Sequence, residues 1–447
     1  MHYVADLHLH SKYSRAVSQN MILPVMAEWG RKKGIDILSV SDWTHPLWLR
    51  EIRGQLEEAA EGLYKLKDQN SKIKNDKEPF FLLSTEIASI YKQGNKLRRI
   101  HNLVFVPSFK TAEKINKELM SRGCNLMSDG RPIIGLSSRD LLEVVLSIDQ
   151  QCLLIPCHVW TPHFGIYGSA SGFDSLDEAF RDLASDVYGV ETGLSSDPEM
   201  NWQIRELKNR SILSFSDAHS PGKMGREATV FELEKPSYEN IRRAIIRFGK
   251  DSRILYTIEF YPEEGKYHFS GHRNCAVARG PEEIKRDGNI CSKCKRQLTE
   301  GVLYRVSQLG DNLSTENLDT KMNSNNIKWY VDKTKNHPPY VKIVPLLEII
   351  AESLGLTVGS QRVKAKFDEL CHEFGSEIEV LLKTPIELVQ KSAGAKISEG
   401  IEKVREGSIV IDPGFDGEYG KVKIWNHKES VVKSKEGKSE TQMGLGF

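Results

Sequence analysis

Short apolar runs separated by amphipathic stretches organise the first half of the chain. A short continuous apolar run between turn signals reads as a buried strand, and a 3.6-residue apolar repeat reads as a helix packed on one face. On that basis residues 5–11 form a first strand and its closing turn, 22–34 a helix beginning near Pro24 and ending at Gly34, and 35–40 a second strand. A charged helical stretch is expected over 51–68 and a polar loop over 69–79. Strands follow at 80–84, 100–106, 152–157, 187–190 and 212–216. Buried strands alternating with helices predict parallel βαβ units, and parallel barrels carry their chemistry at the C-terminal ends of the strands.

Those strand ends hold an unusual set of side chains. His8 and His10 are two apart, so both imidazoles project to one face of a strand, with Asp6 beside them. Asp42 and His45 follow the second strand, Glu86 follows the run at 80–84, and His101 opens the run at 100–106. His158 ends 152–157, Glu191 ends 187–190, and Asp217 and His219 end 212–216. Any one of these alone reads as an ordinary core or surface residue. As a set they read as metal ligands, because a divalent ion needs several imidazoles and carboxylates converging on one point.

Size and charge narrow the picture. A chain of 447 residues exceeds what one core usually supports, so two or three domains are expected. Lys+Arg 62 against Asp+Glu 61 leaves almost no net charge, so any nucleic-acid affinity must come from local basic patches. No apolar run approaches the roughly 20 residues of a membrane span, no basic and apolar leader precedes the first strand, and the scattered Cys124, Cys152, Cys157 and Cys371 read as buried thiols. A cytoplasmic protein with no membrane partner is expected.

The second half reads differently. His272-x2-Cys275 and Cys291-x2-Cys294 have the spacing of a closed Cys3His structural zinc site, with His268 as an alternative fourth ligand and a redox Cys-x2-Cys as the weaker reading. Arg273, Arg279, Lys285, Arg286, Lys293, Lys295 and Arg296 make that stretch locally basic, which suits a DNA clamp as well as a plain structural filler. Residues 311–340 are polar and Asn-rich and read as a loop or insertion. Helices are expected from Pro345 onward and over about 360–373, 385–393 and 396–406, then a hairpin from 409–414 and 419–424. The expected division is a catalytic unit over 1–255, a zinc-binding module over 262–310, a mainly helical domain over 311–427, and a flexible Lys-, Glu- and Ser-rich tail over 428–447.

Asp6-x-His8-x-His10, Asp42 with His45, Glu86, His101, His158 and Asp217-x-His219 together resemble the PHP (polymerase and histidinol phosphatase) superfamily of metal-dependent phosphoesterases. The resemblance implies a distorted (β/α)7 barrel with up to three metal ions at its C-terminal mouth, followed here by the zinc module and the mainly helical domain. The chain departs from that pattern at Ala16, where the family commonly has a histidine, and in the spacing Asp42-Trp43-Thr44-His45, where the family has adjacent ligands; both departures bear on the third metal. Within the superfamily, three stretches resemble the endonuclease Q family of repair nucleases. They are 158–169, opening His158-Val159-Trp160-Thr161-Pro162-His163; 191–202, opening Glu191-Thr192-Gly193-Leu194; and 216–222, Ser216-Asp217-Ala218-His219-Ser220-Pro221-Gly222.

That resemblance implies a DNA repair endonuclease cutting on the 5′ side of deaminated bases (hypoxanthine, uracil, xanthine) and abasic sites, with duplex DNA as partner. The alternative is a PHP-type phosphatase acting on a small phosphomonoester. By the same resemblance His8, His10, Glu86 and Asp217 hold one divalent ion (Zn²⁺, Mn²⁺ or Mg²⁺), and Glu86, His101 and His158 hold a second. His219 and the Asp42/His45 pair complete the ligand set or form a partial third site, and Glu191 joins the catalytic group. The loop with Trp160, His163, Phe164, Tyr167 and Ser169 mixes aromatics and glycines, which suits contact with an everted base as well as an ordinary ordered loop. Arg226, Lys96, Arg98, Arg99 and Lys223 are candidate phosphate contacts. The tail ends in Gln442-Met443-Gly444-Leu445-Gly446-Phe447, where Gln442, Leu445 and Phe447 resemble the motif that docks on the bacterial β sliding clamp.

Overall fold

A computed structural model of the chain describes residues 1–67, 78–310 and 318–426. The strands in its first part are β1 (His2–Asp6), β2 (Ile37–Ser39), β3 (Leu56–Ala60), β4 (Leu63–Leu66), β5 (Phe80–Leu82), β6 (Ser84–Gln93) and β7 (Lys96–Phe105). Next come β8 (Ile133–Ile134), β9 (Leu153–Pro156), β10 (Gly189–Glu191), β11 (Ser211–Leu213), β12 (Ala228–Glu232) and β13 (Arg253–Glu259). The remainder are β14 (Ser270–His272), β15 (Val277–Arg279), β16 (Leu318–Met322), β17 (Lys328–Asp332), β18 (Tyr340–Lys342), β19 (Val410–Asp412) and β20 (Lys421–Lys423).

The chain is mixed α/β, with a large mixed sheet and a helical region near its C-terminal end. β1, β2 and β5 run parallel, as the alternation of strand and helix predicts, and so do β10 and β11. β6, β7 and β9 instead pair antiparallel. The Val159 N–H donates to the Glu191 carbonyl (3.1 Å), and a parallel bridge joins Leu9 to Ala218, so the segments beyond β9, β10, β11 and β1 meet. Ala5, Leu7, Ile37, Leu82, Leu103, Phe105, Leu153, Ile155, Leu213 and Phe215 share one buried core between these strands.

Three expectations change. The helix expected over 51–68 stops early: a helix at Pro46–Gln55 gives way to the hairpin β3–β4, which buries Leu56 and Leu63 and turns at Gly62. His101 lies in the middle of β7, because β6 and β7 form a long hairpin around Gly94-Asn95. Gly94 has φ +60, the conformation that a two-residue hairpin loop demands and glycine supplies. Of residues 311–340, expected as a loop or insertion, the described part forms β16 and β17 and enters β18, which lies parallel to β13 and extends the large sheet to ten strands. The aromatic pair Trp329 and Tyr330 in β17 favours this, since aromatic side chains pack well on a pleated surface.

The helices Leu346–Leu354, Gln361–Phe374, Ile386–Ala393 and Ala395–Glu406 follow the apolar periodicity closely. Their buried faces join Ala228, Val230, Ile258 and Val341 in a second core, so the helical region packs on the back of the sheet. No helix among the described residues is long and apolar enough to cross a membrane.

Candidate functional site

Strand alternation and three strained turns bring the polar set together. Ala5 and Leu7 face the apolar core, so Asp6, His8 and His10 face the other way, and the His8 and His10 rings stand 5.4 Å apart. On the β6–β7 hairpin Glu86 is paired with Leu103 and Ala88 with His101, which places Glu86 and His101 on one face. Asp42, His158 and Asp217 follow β2, β9 and β11 with φ of +41, +29 and +46. Positive φ is uncommon for residues with a side chain and persists where surrounding structure enforces it, characteristically at functional sites. Gly193 permits one of these turns: a Cβ there would collide with the Cβ of His158.

Glu86 is the hub. Its Oε1 lies 2.5 Å from His101 Nδ1 and 3.1 Å from His158 Nε2, and its Oε2 lies 3.2 Å from His10 Nε2 and 3.7 Å from His8 Nε2. Asp217 Oδ1 closes the second side, 3.0 Å from His10 Nε2 and 3.7 Å from His8 Nε2. Two donor groups result, His8 with His10 and Asp217, and Glu86 with His101 and His158; within each, the donor atoms lie within 4.8 Å of one another.

A second layer aims the rings. His8 Nδ1 lies 2.8 Å from Glu191 Oε1, and Glu191 Oε2 accepts the His158 backbone N–H (2.8 Å). His10 Nδ1 lies 3.3 Å from Asp42 Oδ1, while Asp42 Oδ2 accepts from the Ser11 N–H, Ser11 Oγ and Ser14 Oγ at 2.6, 2.6 and 2.9 Å. An ionised carboxylate only accepts, so each Nδ1 carries a hydrogen and each Nε2 lone pair is left for a metal. His8 Nε2, His10 Nε2 and Asp217 Oδ1 are buried with no hydrogen-bond partner. Orphaned buried polar atoms are costly, and a divalent cation would satisfy all three, so the residues fit such an ion.

The charges agree. Burial alone would push the His8 and His10 imidazoles down, but Glu191 and Asp217 around His8, and Asp217 and Asp42 around His10, hold both well above the usual histidine range. Burial likewise opposes ionisation of Asp217 and Glu86, yet the imidazoles hold Asp217 far down, and His101 and Arg131 do the same for Glu86. Burial takes His101 down to about 4 against the pull of Glu86. Without a cation, protons on His8 and His10 balance the carboxylates; metal binding would release them. Cys157 lies beside His8 and Glu191, but burial keeps its thiol protonated, so it forms a wall of the site.

Other candidates are placed elsewhere. Asp42 orients His10, because its oxygens are taken by His10 and the two serines. His45 stacks on Tyr13 with ring centres 4.4 Å apart and joins neither donor group. His219 turns its Nδ1 to the Asp217 carbonyl (2.8 Å), with its ring 4.7 Å from that of His10. Trp160 and Tyr167, read as base contacts, point inward: the Trp160 indole donates to Asn201 (2.9 Å), and the Tyr167 hydroxyl donates to Glu206 (2.9 Å). Arg305 fixes this loop from behind by donating to the Tyr167 and Phe173 carbonyls. His163 and Ser169 are exposed, and the half-buried Phe164 lies against His101 at 4.3 Å between rings. Arg98 is buried, paired with Glu178 and stacked on Phe173, and Lys223 pairs with Glu348. Arg226 donates to the Ser216 carbonyl (3.0 Å).

Sequence reasoning missed Arg131, whose Nη1 lies 3.0 Å from Glu86 Oε2, and Ser11, Ser14 and Thr161, which support His10 and His158. Gly130, next to Arg131, was the available signal; a Cβ there would run into Ser14 and Asp42.

In the second half, the donor atoms of His272, Cys275, Cys291 and Cys294 lie within 4.8 Å of one another, with His272 Nδ1 3.2 Å from Cys294 Sγ. Backbone N–H groups of the knuckle hold the Cys291 thiol down to about 6, which suits a thiolate ligand. His268 is buried against Phe269 and stands outside this group. Gln442, Leu445 and Phe447 lie outside the described residues.

Comparison with known proteins gives this geometry a context. The MJ0043 C-terminal domain family matches residues 345–408, the helical region. The chain is 32% identical over 270 residues to the uncharacterized protein MJ0043 of Methanocaldococcus jannaschii, a match covering 59% of this chain and 31% of that protein's length. It is 29% identical over 435 residues to the uncharacterized protein YqxK of Bacillus subtilis, covering 94% of this chain and 98% of that one. The lesion-specific endonuclease PfuEndoQ of Pyrococcus furiosus superposes with a TM-score of 0.79 at 29% identity, covering 97% of this chain and 99% of that one. An Endonuclease Q in complex with a 27-mer duplex substrate, an abasic lesion at its active site, superposes with a TM-score of 0.79 at 30% identity, covering 95% and 97%. The chain belongs to the endonuclease Q family.

Proposed function

We propose that this chain is a metal-dependent DNA repair endonuclease that hydrolyses the phosphodiester on the 5′ side of deaminated bases and abasic sites in duplex DNA. The observation that carries the reading is the convergence of His8 Nε2, His10 Nε2 and Asp217 Oδ1, buried and unpartnered, beside Glu86 with His101 and His158. The Endonuclease Q complex with an abasic duplex adds the substrate class. In this reading residues 1–255 are a distorted (β/α)7 barrel of the PHP type. Residues 262–310 are a module closed by one structural zinc on His272, Cys275, Cys291 and Cys294, and 311–427 are the mainly helical domain.

His8, His10 and Asp217 would hold one divalent ion and Glu86, His101 and His158 another, with Glu86 facing both; four imidazoles favour Zn²⁺ or Mn²⁺ over Mg²⁺. Such ions supply an activated water and neutralise charge on the phosphodiester. The chain's own residues do the rest. Glu191 and Asp42 keep the His8 and His10 rings aimed, and Phe164 covers His101 on the open side. His163 and Ser169, exposed on the same loop, are the groups placed to meet a displaced base.

The test maps the cut. End-labelled duplexes carrying one deoxyinosine, deoxyuridine, deoxyxanthosine or abasic site, and an undamaged control, are incubated with Mn²⁺ or Mg²⁺ and resolved at single-nucleotide resolution. The expected product is a nick immediately 5′ of the lesion and none in the control. Phosphate release from small monoesters with intact duplexes would overturn the DNA reading in favour of a phosphatase.

A further inference from the structure

The carboxylates Glu86 and Asp217 offset part of the positive charge that bound metal ions would present to a phosphodiester, so a fixed cation on the same rim would add a further contact to the substrate. Among the described residues, Arg131 is the only Lys or Arg that pairs with any of His8, His10, Glu86, His101, His158 or Asp217. It enters beside Glu86, with Nη1 on Oε2 at 3.0 Å. The carboxylate is fully buried while the arginine side chain keeps 27% of its surface. Nη2 and Nε have no protein partner among the described residues and are not among the buried orphaned atoms. One edge of the guanidinium is thus locked to the metal centre, and the other is open to solvent at its mouth.

The backbone fixes the position of this fork. The Gly130 N–H donates to the Tyr13 carbonyl (3.0 Å), Thr44 Oγ1 donates to the Gly130 carbonyl (3.3 Å), and the Arg131 N–H donates to Asp129 Oδ1 (3.1 Å). The Ala88 N–H donates to the Pro132 carbonyl (3.0 Å), and β8 then pairs with β6, the strand that carries Glu86. Arg131 is therefore tied to the turns after β1 and β2 and to β6, the elements that build the donor cluster. A guanidinium held at one edge and free at the other matches two oxygens of a phosphate, a geometry that a lysine's point charge does not reproduce.

We infer that Arg131 grips the scissile phosphate, its free edge donating to the non-bridging oxygens while Nη1 stays on Glu86. The inference rests on the endonuclease reading and names a substrate contact for it. The expected consequence is a binding preference for a charged phosphate at one position of the DNA.

The experiment uses the protein as purified with its metals, in an Asp217→Asn background that prevents cutting. Fluorescence anisotropy compares a lesion duplex whose phosphate 5′ of the lesion is an ordinary diester with one bearing a neutral methylphosphonate there. The parent should prefer the diester by about ten- to hundredfold, the worth of a charge-assisted contact. Arg131→Gln should cut that preference by about tenfold, leaving the part that bound metal ions contribute, and Arg131→Lys should fall between. A methylphosphonate three phosphates away should cost parent and variants equally. The assignment is overturned if the parent shows no preference, or if R131Q keeps the parent's preference. Thermal melts check folding; if R131Q does not fold, R131K carries the test, and the full parent preference in R131K overturns the inference. Nicking of the lesion duplex by wild type is run alongside. Its absence refutes the endonuclease reading, whereas nicking with an unchanged preference in R131Q refutes the role of Arg131 alone.

Discussion

Asp42 shows how one side chain in this site sets the aim of another. Its Oδ1 lies against His10 Nδ1, and its Oδ2 gathers Ser11 and Ser14, so the imidazole is held by a group that is itself held. Asp42→Asn keeps the shape but weakens the acceptor, and should cost about 10- to 100-fold in metal affinity, read by metal titration of the protein. Glu259 is a different case, buried with a second carboxyl, Glu227, close enough to repel it. Burial pushes its carboxyl up to about 8, against the hydroxyls of Ser214 and Thr257, which pull it down from their hydrogen bonds. The folded protein therefore keeps a proton that the unfolded chain gives up near the ordinary value of 4.5. The sign follows: this contribution is intact below about pH 4.5 and is lost as pH rises toward about 8. Glu259→Gln is neutral throughout, so its Tm relative to wild type should rise between pH 5 and pH 8, by the equivalent of a few kcal/mol. A constant difference across that range would contradict the buried, protonated carboxyl.

At the scale of elements, the β6–β7 hairpin does most to build the centre, since it supplies Glu86 and His101 on one face. Both residues were legible in the sequence, but the hairpin was not recognised. The apolar run beginning at Ile100 stands out, whereas the polar Lys96, Arg98 and Arg99 of the same strand mask its first half. The turn signal, Gly94-Asn95, was nonetheless there. His45 misled for a related reason. Its place after β2 suggested a ligand, but a helix starting at Pro46 carries it onto Tyr13. Trp160 and Tyr167 were read from composition, and composition does not show which way a loop faces. The grouping of His272, Cys275, Cys291 and Cys294 was legible because their spacing is local: the β14–β15 turn brings His272 to Cys275, and the knuckle adds Cys291 and Cys294. Cys291→Ser should lose one equivalent of tightly bound zinc by elemental analysis. Hydrogen exchange should then speed up over residues 268–301 while the amides of β1, β2 and β5 keep their protection.

Across the whole molecule, the parts are joined by contacts that no local pattern announces. Lys33, at the end of the helix Leu23–Lys33, reaches Glu377 with Nζ 2.5 Å from Oε2, both side chains buried. The other oxygen of Glu377 accepts the Leu346 N–H (2.6 Å) at the start of the helix Leu346–Leu354. β18 adds to β13 in the same region, so the helical region and the large sheet form one packed body. Lys33→Met would leave Glu377 buried without its cation and should lower stability by about 3–5 kcal/mol in urea unfolding; the double variant Lys33→Met, Glu377→Gln should recover part of that loss. A single variant as stable as wild type would show that this bridge does not hold the two parts together. Such pairs were invisible to sequence reading because their partners lie hundreds of residues apart, whereas the strand-end histidines and acids were visible because each marks its own strand.

In the proposed function the cluster of His8, His10, Glu86, His101, His158 and Asp217 is a metal-dependent nicking centre. The measurement that bears on it most directly is the single-turnover rate on a duplex with one abasic site, for wild type and Asp217→Asn, with Mn²⁺ added and with chelator. The nick 5′ of the lesion should disappear with chelator, return with Mn²⁺, and slow by more than about a hundredfold in Asp217→Asn, beyond what loss of a supporting partner costs. Nicking at the wild-type rate in Asp217→Asn, or unaffected by chelator, would contradict that function.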